Sequence, residues 1–354
     1  MMDLQVLLKT AVEKSAADIF IVSGIPISIR KDGLIIPLND EKLLPNTASP
    51  LIEEIYGIAK REMDILMESG DDDFSISLPG MSRFRVCAYK QRNSLAAVIR
   101  VVNFDIPDYK VIGIPEEVMN IARINQKGLI LVTGPAGSGK STTLACLLNE
   151  INKTRKGHII TVEDPIEYIF RNDGCIFSQR EIASDTHDYI TALRASLRQA
   201  PEIIYIGEMR DFEAISAVLT AAETGHTIIS TLHTVGAVNT IDRIIDVFPP
   251  QQQQQIRLQI SNLLRTVVSQ QLIPDVNGKL TPAYEIMHQN TAISNLIRES
   301  KIHQIDTIIQ TSVSDGMVTM DNYLLRLLKE NKITKETALK KATNRDAMEK
   351  RMSR

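Results

Sequence analysis

The sequence contains no tryptophan, and aromatic residues make up only 5 % of its 354 positions. A stacking platform for single-stranded nucleic acid is therefore not expected. Its three cysteines, Cys87, Cys146 and Cys175, lie far apart and form no C-x-x-C pair. That spacing indicates neither a disulfide framework nor a zinc site. No apolar run approaches the roughly 18 residues that a bilayer-spanning helix needs. The opening Met1-Met2-Asp3-Leu4-Gln5 does not read as a secretory signal. A cytosolic chain without a transmembrane segment is expected, one able to dock at a membrane. Excess charge of one sign is also missing: 40 basic residues face 43 acidic ones, for a net charge of −3. This balance argues against a dedicated nucleic-acid binder. What is present is 44 % hydrophobic and 23 % charged residues. Such a chain can bury a sizeable core, and its length suggests two or three domains.

The strongest motif is Gly134-Pro135-Ala136-Gly137-Ser138-Gly139-Lys140-Ser141, followed by Thr142. It fits the phosphate-loop pattern G-x-x-x-x-G-K-[ST]. An apolar run, Leu129–Thr133, precedes it, and Ser141–Ile151 can form a helix after it. Strand, glycine loop and helix are what phosphate binding requires. Backbone N–H groups curl around phosphate oxygens, the helix N-terminus adds partial positive charge, and Lys140 adds a full one. The hydroxyl of Ser141 is placed to ligate Mg²⁺. The loop thus points to a nucleoside triphosphate.

Residues 1–102 read as a small mixed α/β domain. Leu4, Leu7, Leu8, Ala11 and Val12 recur at helical spacing. Strands are expected at 18–22, 27–30 and 33–38, and a further three at 73–78, 83–91 and 95–102 in a meander. A helix over 52–68 is expected to break near Ala59-Lys60. Residues 103–114 carry no clear period and contain Pro107 and Gly113, which makes them a linker. A helix over 116–123 leads into the phosphate-loop strand.

From 115 to 290 the pattern is that of a nucleotide-binding α/β core. Four short apolar runs, 129–133, 159–162, 203–206 and 227–232, lack polar alternation and are separated by helix-length segments. Such strands are buried on both faces of a parallel sheet. Each ends in candidate chemistry: the phosphate loop, Glu163-Asp164, Gly207-Glu208 and His233. Open α/β sheets bind ligands at these carboxyl ends. The segment 250–345 reads as mostly helical. The Gln251–Gln255 run opens a helix that continues to Val268, and the charged tail from Lys340 is expected to fray.

Hydrolysis of a bound nucleotide needs one carboxylate near Mg²⁺ and one to orient the attacking water. Glu163 and Glu208 are the candidates. An isolated glutamate is more often a solvated loop charge, but placement at strand ends beside a phosphate loop reverses that for these two, and less so for Asp164 and Glu167. A lone histidine is more often structural. His233, at the carboxyl end of its strand, can contact the nucleotide, whereas His226 at the other end suits packing or an interface. Arg83 and Arg85 share one face of a strand and Arg100 closes the next. An ordinary basic sheet face is the plainer reading, and phosphate contact from a neighbouring subunit the functional one.

These residues also resemble a known family. Ile160-Thr161-Val162-Glu163-Asp164-Pro165-Ile166-Glu167 is similar to the Asp box of secretion and pilus motor ATPases. Gly207-Glu208-Met209-Arg210-Asp211 resembles their Walker B segment. Ala222-Glu223-Thr224-Gly225-His226-Thr227 through Thr231-Leu232-His233-Thr234 resembles their His box. Ala292-Ile293-Ser294-Asn295-Leu296-Ile297-Arg298-Glu299 resembles the A-I-R-N-L-I-R-E box of the retraction branch, with Ser294 where that box has Arg. The short N-terminal domain and the absence of a tetracysteine motif point the same way. The resemblance implies a PAS-like N-terminal domain, a RecA-like ATPase core and a helical C-terminal region over 291–354. It further implies a homohexamer hydrolysing ATP with Mg²⁺ to drive type IV pilus retraction. The motor would sit at the inner face of the cytoplasmic membrane against an inner-membrane platform protein, with other pilus ATPases among its partners. Nucleotide would lie between the two domains, where Arg85 and Arg100 match phosphate-contacting positions. Glu163 is the favoured base and Glu208 the residue on Mg²⁺. The alternatives are a pilus extension or type II secretion ATPase, a nucleic-acid translocase, and a non-catalytic nucleotide-binding regulator.

Overall fold

The computed structural model describes residues 3–102, 106–124 and 126–352. The start of the expected linker, residues 103–105, lies outside them, as do Met1, Met2 and residues 353 and 354. The chain divides into two compact units. One takes the described residues up to 102 with Ile166–Ile169, and the other takes Ile106–Pro165 with the described residues from Phe170 onward.

The first unit runs α1 (Leu4–Glu13), β1 (Asp18–Ile21), β2 (Pro26–Lys31), β3 (Leu34–Lys42), α2 (Pro45–Ala59), α3 (Asp64–Ser69), β4 (Asp71–Leu78), β5 (Ser82–Gln91) and β6 (Ser94–Val102). The six strands form one sheet in the order β3-β2-β1-β6-β5-β4, with every neighbouring pair antiparallel. Asp3 starts α1 by accepting from the backbone N–H groups of Gln5 and Val6, a cap worth about 1 kcal/mol. Leu4, Leu7, Leu8 and Ala11 then fall on one buried face and pack with Ile52, Ile55, Phe84 and Val86. Each such fully buried aliphatic side chain stabilises the unit by about 1.5–3 kcal/mol. The helix expected over 52–68 is two helices. Lys60 ends α2 in the left-handed conformation, with φ of 50°.

The second unit runs α4 (Glu116–Arg123), β7 (Gly128–Thr133), α5 (Lys140–Thr154), β8 (Gly157–Glu163), β9 (Cys175–Glu181), α6 (Tyr189–Ser196), β10 (Ile203–Ile206), α7 (Phe212–Glu223), β11 (Thr227–Leu232), α8 (Ala237–Asp246), α9 (Pro250–Leu263), β12 (Leu264–Pro274) and β13 (Leu280–His288). It closes with α10 (Thr291–Arg298), α11 (Ile305–Thr311), α12 (Met320–Lys329), α13 (Lys335–Lys341) and α14 (Arg345–Met352). The sheet order is β13-β12-β7-β11-β10-β8-β9. All neighbours are parallel except the β12–β13 hairpin. The four apolar runs are the four central strands, and β7, β10 and β11 are buried at every position.

Two expectations need correction. The helix that begins at the glutamine run stops at Leu263, and Leu264–Val268 belongs to β12. The segment 250–290 therefore contributes a long hairpin and not only helices. Leu264, Val267 and Val268 are fully buried, because β12 lies parallel to β7 with both faces covered. Thr266, Val267 and Val268 are β-branched, and a turn closed by Gly278 N–H donating to Asp275 O, with Gly278 at φ +78°, joins β12 to β13. The charged tail, as far as Met352, is helical and packed rather than irregular. Asp321 accepts from the backbone N–H groups of Thr343 and Asn344, and α14 buries Met348 completely. The strand β9 was not expected either; its sequence, Cys-Ile-Phe-Ser-Gln-Arg-Glu, is only partly apolar.

Candidate functional site

The phosphate loop leaves the end of β7 and enters α5. Gly134, Gly137 and Gly139 have φ of +144°, +73° and +84°, conformations that side chains with a Cβ rarely adopt. A Cβ at Gly134 would also overlap the backbone carbonyl oxygen of Gln270. Gly139 is the N-cap of α5, whose first turn carries no acidic residue. The amides of that turn therefore keep their positive end for an anion. The hydroxyls of Thr133 and Ser138 are buried here with no hydrogen-bond partner among the described residues. Uncommitted polar groups, three glycines and a helix N-terminus together fit a polyphosphate.

Lys140 is folded back over the loop. Its Nζ donates to the carbonyls of Gly134 at 2.8 Å and Pro135 at 3.1 Å. The same Nζ stands 3.4 Å from His233 Nδ1. On the far side of the ring, His233 Nε2 lies 3.0 Å from Glu208 Oε1. An ammonium can only donate, so Nδ1 accepts from Lys140, and Nε2–H donates to Glu208. The second oxygen of Glu208 accepts from Arg210 Nε at 2.9 Å.

The strand order explains this chain of contacts. β11 lies between β7 and β10, so His233 at its end stands between the loop and Glu208. Backbone bonds fix the ends together. Gly134 N–H donates to Leu232 O, and Met209 N–H to Thr231 O. Thr231 Oγ1 donates to Gly207 O at 2.6 Å. Met209 is buried in the core, and Asp211 caps α7 by accepting from Ala214 N–H. Within Gly207–Asp211, Glu208 thus faces the site while Met209 and Asp211 anchor it.

Glu163 ends β8, one strand beyond β10 and three from the loop strand, about 14 Å across the sheet. It is buried and accepts from Thr161 Oγ1 at 2.6 Å and Gln179 Nε2 at 3.3 Å. Gly207 N–H donates to Val162 O, which sets Glu163 beside Glu208's strand end. Tyr189 of α6 comes close to the same place, with its hydroxyl 3.0 Å from where a Cβ on Gly207 would be. Burial first, and then the nearby Asp164, raises the pKa of this hydroxyl well above its ordinary value. Tyr189, Gln179 and Gln270 were not singled out in the sequence. They arrive from α6, β9 and β12 by topology and carry no motif of their own.

A cavity of about 920 Å³ opens beside the loop, lined by Gly139, Thr142, Thr143, Leu272, Tyr284 and Tyr323 among others. His226 lies just before β11, at the opposite end of that strand from His233, and bonds Thr224 Oγ1 at 2.9 Å. Among the described residues no group of three or more His, Cys, Asp or Glu side chains is placed to hold a metal. No helix among them is long and apolar enough to cross a membrane.

Arg85 and Arg100 belong to the first unit. They are direct cross-strand partners on β5 and β6. Arg100 Nε donates to the buried Asp18 at 2.9 Å, and Arg30 Nη1 lies 3.3 Å from the other oxygen of Asp18. Ser294 of α10 is buried. It donates to Ser261 O at 3.0 Å and accepts from Gln289 Nε2 at 2.9 Å.

A mainly parallel sheet with a phosphate loop, a strand-end glutamate and a linking histidine defines a RecA-like nucleotide-binding unit. Comparison with known proteins narrows that class. The family described as type II/IV secretion system protein matches residues 2–353, and the chain belongs to it. The chain is 41 % identical over 342 residues to the type IV pilus retraction ATPase PilT of Pseudomonas aeruginosa, covering 96 % of this chain and 98 % of that one. It is 43 % identical over 286 residues to a twitching motility protein of Neisseria gonorrhoeae, covering 80 % and 76 %. A crystal structure of the pilus retraction motor PilT with bound ADP superimposes with a TM-score of 0.89 at 41 % identity, covering 99 % of each chain.

Proposed function

We propose that this chain is an ATP-hydrolysing motor subunit that powers type IV pilus retraction. The contact chain from Lys140 through His233 to Glu208, built on the phosphate loop, supports hydrolysis, and the 41 % identity over 96 % of this chain to the retraction ATPase PilT carries the motor reading. The loop from Gly134 to Ser141, with Thr142, holds the phosphates of ATP. The cavity beside Gly139 and Thr142 has room for the base and sugar. Ser141 would hold Mg²⁺ together with the nucleotide, and Glu208 would act on its water shell. Bound Mg²⁺ supplies charge neutralisation on the phosphates.

Glu163 acts as the base. Thr161 and Gln179 donate to its buried carboxylate. His233 ties the state of Lys140 to that of Glu208, so that a change at the phosphates is transmitted to the end of β10. Arg85 and Arg100 complete the site from the N-terminal unit of a neighbouring subunit in a homohexamer. The ring works in the cytoplasm at the inner face of the membrane, against the pilus platform protein and alongside other pilus ATPases. Residues 1–102, 103–114, 115–290 and 291–354 serve as arginine-bearing domain, linker, ATPase core and helical appendage.

Lys140→Ala tests the chemistry. The purified variant keeps the cooperative melt of the wild type and loses ATP turnover. Turnover at the wild-type rate would remove the assignment.

A further inference from the structure

Three fully buried polar side chains meet beneath the phosphate loop. Gln270 of β12 is 2 % exposed, Thr143 of α5 1 % and Tyr284 of β13 0 %. Thr143 Oγ1 donates to Gln270 Oε1 at 2.7 Å. The Tyr284 hydroxyl stands 3.4 Å from Thr143 Oγ1. The one hydroxyl proton of Thr143 is committed to Gln270, so Tyr284 is the donor in the second contact. Burial raises the pKa of the tyrosine and keeps that proton in place.

Gln270 also presses on both glycines that bound the loop. Its backbone carbonyl fills the space that a Cβ at Gly134 would need. Its side-chain nitrogen lies 2.9 Å from where a Cβ at Gly139 would be. A leucine could fill this volume without the cost of burying an amide. The amide instead makes a bond into the first turn of the helix whose N-terminus faces the phosphates.

We propose that Gln270 is a positioning residue for nucleotide binding. Through Gly134, Gly139 and Thr143 it fixes the curvature of the loop and the direction of α5. The proposal rests on the reading of this loop as the nucleotide site. It assigns to the β12–β13 hairpin a part in ATP affinity, beyond its place in the sheet.

The test uses the full-length chain. Affinity for Mg-ADP is measured by isothermal titration, with steady-state kcat and KM and thermal melting alongside. The proteins are wild type, Thr143→Ser, Thr143→Val, Gln270→Leu and the double variant Thr143→Val/Gln270→Leu. Thr143→Ser keeps the hydroxyl and binds like wild type. Thr143→Val and Gln270→Leu each raise Kd and KM roughly tenfold, with kcat changed less. The double variant falls well short of the product of the two, because both lesions break one bond. Equal affinity in Thr143→Ser and Thr143→Val overturns the proposal. So does a lowered Tm with unchanged Kd, or a fully multiplicative double variant. If Gln270→Leu does not fold, the two Thr143 variants decide alone. A wild type that fails to bind Mg-ADP removes the nucleotide reading itself, and this proposal with it.

Discussion

Glu163 and Glu208 end neighbouring strands but keep different company. Glu208 spends both oxygens on positive or donating partners, Arg210 and His233. Glu163 is buried, and Thr161 and Gln179 are among the groups that donate to it. The proposed roles are base for Glu163 and the metal's water shell for Glu208. Glu163→Gln is therefore expected to lower kcat by about 100-fold or more while leaving nucleotide affinity near wild type. Single-turnover hydrolysis and titration with ADP check the two halves separately; a loss confined to affinity would move Glu163 out of the chemistry. The two glutamates, the loop and His233 were legible in the sequence because each follows an apolar run. Gln179 and Tyr189 were not, since a polar residue on a distant element acquires meaning only when the sheet is assembled. The position of Ser294 was equally hidden. Its hydroxyl turns inward to the backbone of α9, and no local pattern shows which way a helix face will turn.

Among the elements, the β12–β13 hairpin changes the picture most. The glutamine run correctly announced a helix, but not its end. Thr266, Val267 and Val268 are β-branched and buried, a composition shared by buried helices and buried strands. Only the vacancy beside β7 selects the strand, and that is a long-range fact. The hairpin also carries a titratable group. His288, at the end of β13, bonds Thr266 Oγ1 at 3.0 Å, and burial lowers its pKa below the ordinary 6.5, opposed by Asp315. In the unfolded chain the imidazole takes its proton near 6.5, while in the folded chain it resists to lower pH. The unfolded state thus binds more protons in that window, and stability falls as pH drops below 6.5. His288→Asn removes this contribution. Melting curves between pH 7.5 and 5 (about the window in which histidine titrates) are expected to show a shallower loss of Tm in the variant. Parallel curves for the two proteins would contradict it.

At the scale of the whole molecule, the nucleotide-binding half and the arginine-bearing half are separate units of one chain. The apolar runs announced the parallel sheet, and the meander of β4, β5 and β6 was equally plain. The proposed ring came only from the resemblance, because surfaces that meet between copies leave no local pattern in one chain. The proposed supply of Arg85 and Arg100 from a neighbouring subunit has a direct consequence. Rings of Arg100→Ala subunits and rings of Lys140→Ala subunits are each inactive. Mixed rings place an intact loop beside an intact arginine at some interfaces and recover part of the turnover. Recovery absent at every mixing ratio would place the arginines in the same subunit as the loop they serve.

The proposed motor role is tested most directly in living cells. The measurement is the number of surface pili and the spreading motility of a strain lacking this chain, complemented with wild type or with Glu163→Gln. Retraction by this ATPase predicts excess pili and no motility in the deletion strain. Wild type restores both properties, and Glu163→Gln restores neither. A deletion strain that loses its surface pili would contradict retraction and make the chain an extension or secretion ATPase.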